Sequence, residues 1–330
     1  MIFHVYLVLT QLKMGKTMKA VVFNSYGSPD VLEIKELEKP IINEHGILVQ
    51  AHATSVNPVD WKIRNGSMKI FTGKKFPKGL GVDISGTVSA IGENVVGFKV
   101  GDEVYGKLGG FKGNAYAEFV AANPVDLALK PTNLDFNESA SVPLAALTAY
   151  QALVNLGGLT KGSQVLINGC SGGVGHLGVQ IAKALGAEVT GICSTKNISL
   201  AKKIGADNVI DYTKEDVVDG DIKYDIFFDA IANQSYSKVK PILNKNGRYI
   251  STLPSVGVIL NSITGLFSSK KAKMINAKSN PNELKIITEM IENGKVKPVI
   301  DKIFLLEDIR EAHRYSETGR VVGKLAISII

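Results

Sequence analysis

The sequence predicts an α/β protein in two parts: a β-rich, barrel-type unit and a doubly wound parallel sheet flanked by helices. Three observations carry this. Short β-branched segments split by glycine turns fill the first third of the chain. From Val165 onward, short apolar strands alternate with helical stretches, as in a parallel sheet covered on both faces. A glycine turn, Cys170-Ser-Gly-Gly-Val-Gly175, joins the first strand of that second part to its first helix.

In the first unit, residues 19–23, 33–37 and 46–54 read as strands, with further strands between Asp83 and Tyr105 and over 115–121. Asn137 opens a different texture, and residues 138–153 are helical with one break at Pro143. The second unit reads as strands over 165–167, 188–193, 208–210, 224–229 and 247–252. A helix over 283–293 follows Pro281. It leads to a strand over 299–304, a helix near 308–316 and a last strand over 323–329. That last strand is expected to return to the first unit. The expected division is a catalytic domain over 18–139 and 282–330, a nucleotide domain over 140–281 inserted within it, and a cleft between the two. Residues 1–17 read as an extension ahead of a fold that begins at Met18.

The glycine turn carries chemistry. Gly172, Gly173 and Gly175 let the backbone turn sharply and approach a pyrophosphate, while the helix that follows points its free amides at the phosphates. Leu177, Ile181 and Leu185 recur at helical spacing, and Gly186 stands where a helix C-terminal glycine belongs. The dinucleotide pattern G-x-G-x-x-G falls on Cys170, Gly172 and Gly175, so its first glycine is replaced. A purely structural glycine turn is the competing reading. Strand, helix and second strand in the right order favour the dinucleotide, with Ser171, Gly172, Gly173 and Val174 as binding residues.

The end of the second strand chooses the cofactor. Folds that bind NAD place a carboxylate there to accept from the ribose 2′-hydroxyl. Here Ser194, Thr195, Lys196 and Asn197 fill the region, and an ammonium with hydroxyls suits a 2′-phosphate instead. NADP(H) is therefore expected, although a solvated surface lysine is the ordinary alternative for Lys196. Tyr212 follows the third strand and is expected to flank the adenosine.

Composition bounds the rest. At 330 residues, with 45% hydrophobic and 21% charged content, the chain suffices for two ordinary globular cores. A net charge of +7 suits a phosphate-bearing ligand. No basic stripe interleaved with aromatics suggests nucleic acid. Two cysteines, Cys170 and Cys193, do not make a disulfide framework, and a reducing cytoplasm is expected. No apolar run reaches the roughly 18 residues of a membrane span. Residues 2–10 are apolar but lack a basic start or a cleavage site. Residues 256–273 combine apolar side chains with three lysines and read foremost as an amphipathic core helix.

Several strings resemble the medium-chain dehydrogenase/reductase superfamily over essentially the whole chain from Met18. They are Ser55-Val-Asn-Pro-Val-Asp-Trp-Lys62, Gly81-Val-Asp-Ile-Ser-Gly86, Gly101-Asp-Glu-Val-Tyr-Gly106, Ser171-Gly-Gly-Val-Gly175 and Gly323-Lys324. Asn57-Pro-Val-Asp-Trp-Lys-Ile63, Lys75-Phe-Pro77 and Gly294-Lys-Val-Lys-Pro-Val-Ile-Asp301 resemble its zinc-independent quinone oxidoreductase branch, close to the chloroplast-envelope homologues. The resemblance implies a GroES-like catalytic domain, a Rossmann nucleotide domain and a homodimer. Zinc enzymes of this superfamily place cysteine where this chain has Asn57, and Gly-His-Glu where it has Gly81-Val82-Asp83, so no metal is expected.

Without a Lewis acid, ketone reduction is hard, because the developing alkoxide lacks its electrostatic partner. Conjugate reduction asks less. Hydride from NADPH adds to the β-carbon of an enone and charge spreads over an enolate; a quinone gains aromaticity. The expected function is NADPH-dependent reduction of a quinone or an α,β-unsaturated carbonyl. The alternatives are a metal-free NADP-dependent alcohol dehydrogenase and a low-turnover NADPH-binding sensor or nucleic-acid binder. The resemblance implies that Asn57 lies beside the nicotinamide, with Thr148 as a nicotinamide-side hydroxyl and Lys324 as a cofactor contact from the last strand. Asp60 is expected to fix the Asn57 loop and Lys62 to reach the nicotinamide ribose or the substrate oxygen. A local ion pair between Asp60 and Lys62 is the competing reading.

Overall fold

A computed structural model describes residues 17–110, 113–219, 222–254 and 269–330. Residues 1–16 and most of the 256–273 segment lie outside the described residues. The first unit contains β1 (Thr17–Phe23), β2 (Leu32–Glu38), β3 (Ile47–Val56), β4 (Lys78–Gly79), β5 (Asp83–Ile91), β6 (Glu103–Lys107), β7 (Phe119–Ala122) and β8 (Leu127–Leu129). The second contains β9 (Gln164–Asn168), β10 (Glu188–Cys193), β11 (Asn208–Asp211), β12 (Tyr224–Asp229), β13 (Leu243–Ser251) and β14 (Lys271–Met274). The chain closes with β15 (Ile300–Leu305) and β16 (Lys324–Ser328).

The second unit is a six-stranded parallel sheet in the order β11-β10-β9-β12-β13-β14. Counted from β9, this is the 3-2-1-4-5-6 order of doubly wound nucleotide-binding folds, whose order reverses between β9 and β12. Ligands of such sheets lie outside the carboxyl ends of the strands at that reversal. β9 is buried from Val165 to Asn168. Helix Gly175–Ala184 buries Leu177, Val179 and Ile181 in the same core. At about 1.5–3 kcal/mol for each fully buried aliphatic side chain, that face fixes the helix on the sheet.

The first unit is antiparallel except for β15, which runs parallel to β16. Strands β15-β16-β3-β5-β6-β8 form one sheet with β7 also on β3, and β2-β1-β4 form another. Val49, Ile84, Val88, Val104 and Val120 pack one side, and Phe23, Leu32, Val56, Leu80 and Leu325 the other. The C-terminal strand does return. β16 pairs antiparallel with β3, Leu325 opposite Val56, which puts Lys324 beside Asn57. Helix Pro281–Glu292 sits at the seam. Leu284, Ile287 and Ile291 join the nucleotide-unit core, while Tyr105 Oη of β6 donates to the Leu284 carbonyl at 3.0 Å.

Two local differences from the sequence reading matter. Residues 57–62, read as a loop, begin a helix, Pro58–Arg64. Asn57 is its N-cap, Pro58 opens it, and Asp60 Oδ2 accepts the Asn57 amide at 2.8 Å. The tight turn after β9 is made by Gly169, at φ +75°, and not at Cys170. The missing first glycine is thus present one residue earlier.

Candidate active site

The site grows from three pieces of chain. The first is the turn after β9. Amides of Gly169 and Cys170 donate to the Ile192 carbonyl at 3.1 Å, fixing the turn to β10. Gly172 donates to Gly169 O at 3.0 Å. Among the described residues, the amides of Ser171, Gly173 and Val174 meet no protein acceptor, and residues 172–174 are partly exposed. A side chain at Gly175 would strike Gly169 O at 2.1 Å and Cys170 Cα at 2.8 Å. Gly172, by contrast, faces space: among the described residues beyond its chain neighbours, only Gly169 O, at 3.4 Å, comes within 4 Å of where its Cβ would lie. Free amides, an open concave turn and a helix N-terminus fit the pyrophosphate of a dinucleotide. His176 closes the turn from below. Its Nδ1 donates to Gly172 O at 3.0 Å and its Nε2 accepts the Val299 amide at 3.1 Å. Burial pushes its pKa down to about 4, so it stays a neutral strut.

The second piece is a buried polar cluster where β3, β5 and β16 meet. Asp83 is fully buried. Its Oδ2 accepts from Ser55 Oγ at 2.6 Å and Asn57 Nδ2 at 2.8 Å, and its Oδ1 from the Leu144 amide at 2.8 Å. Lys324 Nζ donates to Asn57 Oδ1 at 2.5 Å and stands 3.6 Å from Asp83 Oδ2. Burial lowers the Lys324 pKa, with Asp83 and Asp60 opposing. Its stem runs over the glycine turn: a Cβ on Gly173 would lie 3.1 Å from Lys324 Cδ. Gly323 N also donates to Ser171 O at 2.8 Å. Lys324 therefore joins the glycine turn to the Asn57 cluster.

Asp60 is buried beneath this cluster. Burial raises its pKa to about 7, the Asn57 amide opposes, and the charge of Asp83 adds to the rise. Its Oδ1 has no hydrogen-bond partner, although the Tyr116 hydroxyl lies near. Lys62 projects elsewhere, half-buried, 5.4 Å from the Trp61 ring centroid, with its pKa lowered by burial. Among the described residues no carboxylate pairs with it, so the expected alternative of an Asp60–Lys62 ion pair is absent. Thr148 lies on helix Pro143–Tyr150, the helix that Asp83 holds at Leu144, and its hydroxyl donates to Leu144 O at 2.6 Å.

The third piece lies past the carboxyl ends of β10 and β11. Ser194 begins a short turn over Thr195–Asn197 whose side-chain amide reaches back, Asn197 Nδ2 to Ser171 Oγ at 2.9 Å. Lys196 and Tyr212 are exposed. The Thr195 hydroxyl donates to Asp211 Oδ2 at 2.5 Å.

The sequence reading gave Ser55, Asn197 and Asp211 no role of their own, and saw in Asp83 only a missing zinc ligand. Asn197 alone carried a local signal, its place beside Lys196. The cluster also does not suit zinc. At positions 57 and 82, where the resemblance implies thiolate and imidazole in zinc enzymes, this chain has an amide and a valine, and the Asp83 carboxylate is already engaged by Ser55, Asn57, Leu144 and an ammonium. Among the described residues, no group of three or more His, Cys, Asp or Glu is arranged to hold a metal.

Comparisons with known proteins agree with this architecture. The pattern of the alcohol dehydrogenase GroES-like domain matches residues 43–132, and that described as zinc-binding dehydrogenase matches 204–327. The chain is 34% identical to the chloroplast envelope quinone oxidoreductase homolog of Arabidopsis thaliana, over 95% of this chain and 99% of that protein. It is 35% identical to the chloroplastic NADPH-dependent alkenal/one oxidoreductase of the same plant, over 94% of this chain and 80% of that one. The solved quinone oxidoreductase of Coxiella burnetii superposes with a TM-score of 0.87 at 33% identity, covering 96% of this chain and all of that one.

Proposed function

Because the chain belongs to the medium-chain dehydrogenase/reductase superfamily, in its quinone oxidoreductase branch, it is an oxidoreductase that uses a nicotinamide cofactor, and we propose that it reduces quinones or α,β-unsaturated carbonyls with NADPH and no metal. One observation supports the metal-free chemistry: the Lys324 ammonium stands 3.6 Å from Asp83 and donates to Asn57, which fills the position that the resemblance gives to a zinc-binding cysteine. The open glycine turn supports the dinucleotide.

A bound reduced nicotinamide supplies hydride; the residues described here do the rest. Ser171, Gly172, Gly173 and Val174 receive the pyrophosphate, and Lys324 crosses from that turn to Asn57. Asn57 has both amide hydrogens committed to Asp83 and Ser55 and one lone pair to Lys324, so its position is over-determined. It orients the nicotinamide end together with Thr148. Asp60 is a positioning residue, acting through the Asn57 amide. Lys62, paired with no carboxylate among the described residues and with its pKa lowered by burial, is suited to meet charge developing on a carbonyl oxygen. Ser194 and Lys196 receive the 2′-phosphate, and Tyr212 flanks the adenosine.

The purified protein is expected to consume NADPH, followed by its near-ultraviolet absorbance, with at least one member of a panel of quinones, 2-alkenals and cyclic enones. Cofactor binding without turnover of any of them would reject the proposal. Replacing Lys196 by Glu is expected to weaken NADPH about 30-fold, because a carboxylate that repels the 2′-phosphate takes the place of an ammonium that binds it, and NADH by less than about 3-fold. Equal losses in a binding titration would remove Lys196 from the site. A cytoplasmic homodimer completes the proposal. β14 stands at one end of the described strand order, where a two-fold axis would continue the sheet into a second copy. Among the described residues no helix is long and apolar enough to cross a membrane.

A further inference from the structure

The polar cluster past β10 and β11 is built for more than phosphate. Cys193 and Asp211 lie opposite each other in the parallel register at the ends of the two strands. The buried Asp211 carboxylate accepts the Thr195 hydroxyl on Oδ2 at 2.5 Å, and the Thr213 hydroxyl on Oδ1 at 2.7 Å. The Thr213 amide adds a bond at 3.1 Å, the two hydroxyl oxygens are 3.0 Å apart, and Lys214 Nζ is 3.8 Å from Oδ2. Thr195, Lys196, Thr213 and Lys214 are all exposed.

A hydroxyl has one hydrogen to give. Thr195 and Thr213 give theirs to Asp211, at the short separations of charge-assisted bonds. Toward solvent they offer only lone pairs. A 2′-phosphate also offers only acceptors, so it gains nothing from these oxygens, whereas a ribose 2′-hydroxyl has a hydrogen for them. Lys196 favours the phosphate, while Lys214 is partly neutralised by the same carboxylate. The Thr195 hydroxyl is the chief influence holding the Asp211 pKa below its ordinary value, which keeps the acceptor charged.

We propose that Asp211 is a specificity-determining residue that holds the hydroxyl hydrogens of Thr195 and Thr213 away from the cofactor, and so tempers the preference for NADPH and keeps NADH usable. The inference rests on the reading above that the adenosine ribose lies against residues 194–196. Asp211 acts through the two threonines and need not touch the cofactor. In Asp211→Asn, the side-chain amide donates to one threonine oxygen, whose hydrogen then turns outward. One negative charge also disappears, leaving Lys214 free.

The test is the ratio of the dissociation constants for NADH and NADPH, titrated on the full-length protein. Asp211→Asn is expected to raise the ratio about 10-fold, mostly through tighter NADPH. The ratio is insensitive to a misfolded fraction, because both ligands read the same folded molecules. Thr195→Val serves as a second variant, removing a lone pair that the phosphate avoids and the 2′-hydroxyl uses, and is expected to raise the ratio about 3-fold. An unchanged or lower ratio in Asp211→Asn overturns the proposal, as does a lower ratio in Thr195→Val, which would mean that Thr195 donates to the phosphate. Wild-type protein that binds neither dinucleotide would refute the underlying site instead. Wild-type protein that binds NADPH, with a ratio unmoved by Asp211→Asn, would refute this inference alone.

Discussion

Gly175→Ala is expected to abolish dinucleotide binding, with affinity for NADPH falling about 100-fold or more. The added methyl would lie 2.1 Å from Gly169 O and 2.8 Å from Cys170 Cα, both backbone atoms. Neither can rotate away, so the turn must open. Opening breaks the bonds from Gly169 and Cys170 to Ile192 O and moves the free amides off the phosphate. Overpacking of this kind typically costs about 1–3 kcal/mol of stability, so the melting temperature falls too. Gly172→Ala separates the two effects. Its methyl meets nothing nearer than 3.4 Å and its backbone is not left-handed, so the fold is expected to keep its melting temperature. The methyl instead occupies the open face where a pyrophosphate approaches, and affinity is expected to fall about 10-fold. Thermal unfolding beside a binding titration reads both variants. Undiminished NADPH affinity in Gly172→Ala would mean that phosphates do not use this face.

Lys324→Met is expected to be the most damaging change in the Asn57 cluster. The stem is replaced by one of similar length, and what vanishes is the ammonium. Asp83 then keeps Ser55, Asn57 and the Leu144 amide but loses the cation 3.6 Å away, and Asn57 Oδ1 loses its donor. Removing one partner of a buried charge pair costs about 3–5 kcal/mol. Turnover is expected to fall about 100-fold, because Asn57 and the phosphate turn lose their common anchor. Asp83→Asn in the same background removes the stranded charge and is expected to restore part of the stability, so that the double variant loses less than the two single variants together. Denaturant titration of all four proteins measures this coupling. Strict additivity would show that Lys324 and Asp83 do not stabilise one another.

The site was legible to different depths in different places. The glycine turn was readable because one short stretch supplies strand, turn and helix, and the relevant physics is the φ freedom and missing Cβ of its own residues. Even there, the pattern's first glycine was read as replaced at Cys170 and the sharp turn as belonging to Gly172, Gly173 and Gly175, whereas the left-handed residue is Gly169. Helix Pro58–Arg64 was missed although its signals are local: an Asn cap, Pro at the first helical position and Asp at the third. Thr195 was read from its residue type as a phosphate donor, yet its one hydrogen belongs to Asp211, sixteen positions away.

From its sequence alone the protein is an α/β oxidoreductase with a glycine turn after β9, no carboxylate closing β10, and no thiolate or imidazole at positions 57 and 82. Those properties depend on residue type and on neighbours within a turn or two, which linear order records. Only the tertiary structure decided that Lys324, 267 residues from Asn57, donates to it, and that Asp83 anchors both Asn57 and the helix bearing Thr148. Hydrogen bonds act over about 3 Å of space whatever the separation along the chain. The pairing of β16 with β3 is what brings Lys324 to Asn57.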